Sequence, residues 1–150
     1  MNPKIKLREM LDLLSRLRNE GGSCPIIVEG KKDVRSLRSL GFEGEILQLN
    51  RGKSLLHFCE ELKLKYEKVI ILCDWDRTGG RLTHSLTTYL ENLGVDYDTH
   101  LRKELIFISK KRMKDVEGML SYITDLLNEL NLSFEIQEII TLYEKGKIPF

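Results

Sequence analysis

Residues Lys68 to Cys73, KVIILC, form an unbroken and largely β-branched apolar run that stops at Asp74. Such a run fits a strand buried on both faces, and that strand needs other elements to cover it above and below. Cys24 to Val28, Glu45 to Leu49 and Glu104 to Ser109 (ELIFIS) are shorter apolar stretches, read as strands on the same grounds. Between them the apolar spacing turns helical. Leu7, Met10, Leu11, Leu14 and Leu17 mark a helix over Ile5 to Arg18, stopped by Gly21-Gly22. Val34, Leu37 and Leu40 mark one from Asp33 to Leu40, stopped by Gly41. Ser54 is the expected N-cap of a helix carrying Leu55, Phe58, Cys59 and Leu62. Leu82, Leu86, Tyr89, Leu90 and Leu93 mark another, closed by Gly94.

Strands alternating with helices predict an α/β fold: a compact, mostly parallel sheet of about four strands flanked by helices. The chain from Val116 to Lys145 predicts two more helices. One carries Val116, Met119, Leu120, Ile123 and Leu127; the other carries Phe134, Ile136, Ile139, Ile140 and Tyr143 behind Ser133 as cap. The expected organisation is an N-terminal helical extension over 1–21, the sheet domain over 22–109, and a helical C-terminal tail over 110–150 packed on the same domain.

No segment approaches the roughly 20 apolar residues that cross a bilayer, and the amino terminus is charged and amphipathic, so a cytoplasmic protein is expected. Cys24, Cys59 and Cys73 are widely spaced with no CxxC pair. They read as buried small hydrophobes in a reducing compartment rather than disulfide or zinc ligands. The formal net charge is +1, so any nucleic-acid partner would have to be held by a local patch.

In an open parallel sheet, ligands bind beyond the carboxyl ends of the strands. Two strands deliver acids there: IIVEG places Glu29, and VIILCDWD places Asp74 and Asp76. A single acid after a strand is ordinarily a loop residue or a helix cap; three acids, each following an apolar run, point to a metal. Converging carboxylates raise one another's pKa, and a hard dication relieves the repulsion. Mg²⁺ is the natural candidate, because it prefers oxygen ligands and keeps waters or phosphate oxygens in its remaining positions. Gly30 and Gly79-Gly80 would let backbone approach a phosphate closely. Lys31, Arg77 and Arg81, beside these glycines, are the first candidates for gripping it. Lys32, Arg35, Arg38, Arg51 and Lys53 could extend the patch, as could the run Lys110 to Arg112 with Lys114. Trp75 is expected to pack against a neighbouring element, with stacking on a base as the alternative.

The pair IIVEGKKD and IILCDWDRTGG resembles the Toprim domain, over about residues 20 to 109. Glu29-Gly30 falls on that family's Glu-Gly, Asp74-x-Asp76 on its Asp-x-Asp, and Gly79 near its expected glycine. In size the chain is similar to the small stand-alone primase-like members. The resemblance implies a Rossmann-like parallel sheet and Mg²⁺ held by Asp74 and Asp76, with Glu29 as a further ligand or as the general acid-base. It also implies action on nucleic-acid phosphodiesters, RNA or DNA, as a nuclease or nucleotidyltransferase. Gly80-Arg81 stands where many members place an acid. No tyrosine is placed to act as a topoisomerase nucleophile.

Two other readings compete. The first is a non-catalytic nucleic-acid-binding or assembly module, with a protein partner or a second copy of the chain. The second is a haloacid-dehalogenase-like phosphatase, since ILCDWDRT matches that family's first motif with Asp74 as nucleophile, and LIFIS imitates its second motif. That reading leaves Glu29 idle and has only Asp115 and Glu117 for its later acids, at a helix start where acids are common caps.

Overall fold

The computed structural model describes residues 2–49, 52–109 and 112–150. The described elements run, in order, α1 (Pro3–Glu20), β1 (Ile26–Val28), α2 (Lys31–Ser39), β2 (Ile46–Gln48), α3 (Leu55–Lys65) and β3 (Lys68–Ile71). They continue with α4 (Arg77–Leu93), β4 (Asp96–Asp98), α5 (His100–Ser109), α6 (Val116–Glu129) and α7 (Ile136–Glu144). The four strands form one sheet in the order β2-β1-β3-β4, and every pairing is parallel. This is the expected α/β architecture, a parallel sheet flanked by helices.

The two-residue period of the strands divides the core. Ile26, Val28, Ile70 and Leu72 pack on one face with buried residues of α1, α2, α5, α6 and α7. Ile27, Val69, Ile71 and Cys73 pack on the other face with Phe58, Cys59 and Leu62 of α3 and with Leu86 and Leu90 of α4. Successive side chains of β1 and β3 thus enter opposite layers, which is why these strands read as unbroken apolar runs. The helix at the start of the chain and the pair at its end share one core with the sheet face they cover.

Local signals act as read at several ends. Ser54 caps α3 by accepting from the His57 amide at 3.1 Å. Gly41 and Gly94 adopt φ of +82° and +76°, the left-handed conformation that ends a helix at little cost to glycine. Cys59 and Cys73 are buried and Cys24 is half-buried, all as free thiols. At α7 the cap is Glu135 rather than Ser133. No helix among the described residues is long and apolar enough to cross a membrane.

One element is corrected. Glu104 to Ser109 is not a strand but the last two-thirds of helix α5. The fourth strand is instead Asp96–Asp98, paired through Lys68↔Asp96 and Ile70↔Asp98. That strand lies at the sheet edge with no fully buried residue, so it carries no apolar run to announce it. The Asp98 carboxylate then accepts from the Leu101 amide at 3.1 Å, starting the helix four residues before ELIFIS begins. An apolar hexapeptide serves either period, and this local cap decides between them.

Helix and strand make opposite demands on Leu105 and Phe107, which would share a face in a strand. Leu105 is fully buried, whereas Phe107 is 74% exposed. Leu105→Ala is therefore expected to cost about 2–5 kcal/mol of stability. Phe107→Ser is expected to change it by no more than about 0.5 kcal/mol in the same denaturant titration.

Candidate metal and phosphate site

Beyond the carboxyl ends of β1, β2 and β3 lies a cavity of about 880 Å³, lined among others by Glu29, Gly30, Lys31, Asp33, Gln48, Asp74, Asp115 and Glu117. Glu29 follows β1 and Asp74 lies three residues beyond β3. Because the two strands are neighbours, their acids meet. The Glu29 carboxylate accepts a hydrogen bond from the Asp74 amide at 2.7 Å through Oε2. The Asp74 Oδ1 atom is buried and has no hydrogen-bond partner. An anionic oxygen left in this state is costly, and it is the feature of the site that most calls for a cation.

The electrostatics agree. Burial, with the nearby acids Glu29, Asp33, Asp115 and Asp76, pushes the Asp74 carboxyl up to about 7. Burial also raises Glu29 and Asp33. Asp76 does something different: its Oδ1 accepts from the Gly79 amide at 2.7 Å and so caps α4. Among the described residues, no three carboxylate, thiol or imidazole side chains stand close enough to chelate an ion unaided. Zinc would need such a cage. Mg²⁺ does not, because it is held through one or two carboxylates and completes its shell with water and phosphate oxygens. The Glu29–Asp74 pair with one free buried oxygen fits that ion.

The expected phosphate-binding residues separate. Gly30 and Lys31 line the cavity, together with Lys32, Arg35 and Lys53. Arg77 and Arg81 are exposed on the first turns of α4 and are not among the described residues that line it. Arg38 turns away and donates to the main-chain carbonyls of Phe42 and Gly44 at 3.0 and 2.8 Å. Lys53 is held by Glu61 at 2.7 Å. Arg51, Lys110 and Lys111 lie outside the described residues. Gly79 has a packing reason to be glycine, since a Cβ there would run into the main-chain carbonyl of Asp74, whereas one at Gly80 would meet nothing within 4 Å.

Asp33 and Arg102 were not anticipated from the sequence, whereas the capping role of Asp115 and the packing of Trp75 were. Asp33 accepts from the Gly30 amide at 3.2 Å and lines the same cavity as Glu117 at the start of α6. Asp115 is the N-cap of α6, accepting from Gly118 at 2.8 Å, yet it faces the same cavity. Trp75 packs rather than stacking free: its ring Nε1 donates to the Met113 carbonyl at 2.7 Å, and its amide donates to the Lys114 carbonyl at 2.8 Å. The buried Arg102 of α5 donates to the Cys73 and Asp74 carbonyls at 2.9 and 2.7 Å. The one sequence signal for this arginine is the Asp98-to-Leu101 capping pattern, which puts residues 101, 102, 105 and 109 on one helical face.

With fold and site in view, the chain belongs to the Toprim domain family, which matches residues 24–109. Among its relatives are archaeal proteins described as UPF0292. One from Methanosarcina barkeri is 39% identical over 122 residues, covering 81% of this chain and 85% of the relative. Another, from Methanocaldococcus jannaschii, is 31% identical over 119 residues, 79% of this chain and 93% of the relative. A solved structure from Aquifex aeolicus superposes with a TM-score of 0.60 at 27% identity, covering 71% of this chain and 94% of that one. The family match sets aside the phosphatase reading, and so does α5: its supposed second motif is helical, with the Ser109 hydroxyl donating to the Ile106 carbonyl at 3.2 Å.

Two outcomes follow from this geometry. In the folded chain Asp74 keeps its proton up to about pH 7, against an ordinary 3.8, so between those values the folded state binds more protons than the unfolded one. Metal-free stability is therefore expected to fall as pH rises through that window. Asp74→Asn removes this contribution and raises the melting temperature by a few degrees at about pH 8, measured with a chelator present. Gly79→Ala is expected to lower stability by about 1–3 kcal/mol through overpacking. Gly80→Ala is expected to raise it by about 0.5–1 kcal/mol through helix propensity.

Proposed function

We propose that this protein is a Mg²⁺-dependent enzyme acting on nucleic-acid phosphodiesters, by cleavage or nucleotidyl transfer. The observation that carries the reading is the unpartnered, buried Asp74 Oδ1 beside Glu29, at the strand ends where Toprim proteins place their acids. Asp74 would hold the ion, joined by Glu29 or Asp76. The chemistry such an ion would supply is neutralisation of charge on the phosphoryl oxygens and a lowered pKa for an attacking water or hydroxyl.

The protein's own groups supply the remainder. Glu29, made more basic by burial, takes a proton from the nucleophile or returns one to the leaving oxygen. Lys31, Lys32 and Arg35 line the cavity and form no ion pair with a described residue. They are free to hold flanking phosphates, which fixes the strand without reading its bases. Gly30, at the amino end of α2, lets a phosphate approach the main chain.

The experiment is cleavage, and primer-free or primed extension, of labelled RNA and DNA with Mg²⁺ supplied or chelated. The wild type is expected to act only with the metal, and Glu29→Gln and Asp74→Asn are each expected to lose about 10²-fold or more in rate. Wild type and variants that are equally inert yet bind nucleic acid alike would instead establish the non-catalytic binding module.

A further inference from the structure

The two peptide units flanking the Asp74 Cα are hydrogen-bonded at every polar group. In the first, the Cys73 carbonyl accepts from Arg102 Nε at 2.9 Å, and the Asp74 amide donates to Glu29 at 2.7 Å. In the second, the Asp74 carbonyl accepts from Arg102 Nη2 at 2.7 Å, and the Trp75 amide donates to the Lys114 carbonyl at 2.8 Å. Two of the four bonds come from one guanidinium. With both peptide planes held, the backbone dihedrals of Asp74 are held too, and so is the direction in which its Cβ and carboxylate leave the chain.

Arg102 is there because the sheet runs out. β4 pairs with β3 only as far as Ile70↔Asp98, then turns into α5, so no strand of β4 reaches the carbonyls of Cys73 and Asp74. The planar fork of an arginine can serve two neighbouring carbonyls at once, which a lysine ammonium on a flexible stem does less well. Burying this charge is costly: the side chain's residue is only 8% exposed, and burial depresses its pKa. A buried arginine beside acids would ordinarily pair with one. Arg102 forms no ion pair with a described residue. Its donors go to main-chain carbonyls, and the Asp74 Oδ1 atom remains unpartnered.

We infer that Arg102 is a positioning residue for the metal site: it clamps the carbonyls of Cys73 and Asp74 so that the Asp74 carboxylate is presented, unpaired, to a divalent cation. The role rests on the Mg²⁺ reading of the site given above. It is second in line to the ion, acting through the ligand's backbone as outer partners of metal ligands do. Two effects of the guanidinium oppose each other, since its charge repels a dication while its hydrogen bonds hold the ligand ready. The geometry assigns the larger share to the clamp, because the hydrogen bonds from Nε and Nη2 both go to carbonyls.

The test is calorimetric titration of the full-length protein with Mg²⁺ alone, for wild type and for Arg102→Lys, Arg102→Gln and Arg102→Met. Each folded variant is also melted without metal. Loss of the clamp is expected to raise the Mg²⁺ Kd about 10-fold or more in the Gln and Met variants. Lys, which keeps the charge but not the fork, is expected to fall between these and wild type. A purely structural arginine would lower the melting temperature and leave the Kd of the folded protein in place. Folded variants whose Kd stays within about threefold of wild type, or becomes tighter, overturn the assignment. Should neither neutral variant fold, Arg102→Lys decides alone by the same threefold margin. A wild type that takes up no Mg²⁺ brings down the metal reading and this role with it, whereas a wild type that binds beside equally tight variants brings down the role of Arg102 alone.

Discussion

The hydrogen bond from the Asp74 amide to the Glu29 carboxylate, 2.7 Å long, ties together the ends of the two central strands. It exists because β1 and β3 are adjacent and parallel, with Ile27 opposite Ile71. Their chains therefore leave the sheet side by side in the same direction. Adjacent antiparallel strands would have sent these two acids to opposite edges. The cavity, the crowding of acids and the raised Asp74 pKa all follow from that pairing, and its parallel sense requires the crossover connections through α2 and α3.

Fold and site were legible in the sequence to different degrees. KVIILC and IIVEG announced β1 and β3 because both strands are buried on both sides, and burial is what an apolar run records. DYD left no such record: at the sheet edge its hydrogen bonds are made by the backbone, and its side chains need not be apolar. ELIFIS misled for the converse reason, since a helix packed against α1 needs an apolar stripe, and a short stripe looks like a strand. The acids Glu29 and Asp74 were legible because each follows a clear strand. The arginine under Asp74 was not, because its place depends on that misread helix. The basic residues divided likewise: Lys31 falls where the turn after β1 leads and lines the cavity, whereas Arg77 and Arg81 are exposed on α4 and are not among its lining residues.

Electrostatically, the site keeps its acids by distributing their partners unequally. Glu29 has the Asp74 amide, Asp33 has the Gly30 amide, Asp76 has the Gly79 amide and Asp115 the Gly118 amide. Main-chain donors thus satisfy the surrounding carboxylates, several of them at helix starts, where the dipole also favours negative charge. Asp74 alone has a buried oxygen left over, and it is the acid with the largest upward shift. On the proposed Mg²⁺ reading, structural duty and ligand duty are in this way separated among residues of the same chemical type.

The docking of Trp75 onto Met113 and Lys114 also has a meaning in time. A chain made from its amino end releases Glu29, Asp74 and the whole parallel sheet before residues 113–117 leave the ribosome. Until then the Trp75 amide has no acceptor and one wall of the cavity is missing. The sheet can gather while the chain is still being made, but the completed site waits for residues 113–117. Domains otherwise tend to fold from the amino end as they emerge; here the start of α6 closes the site that the first strand opens.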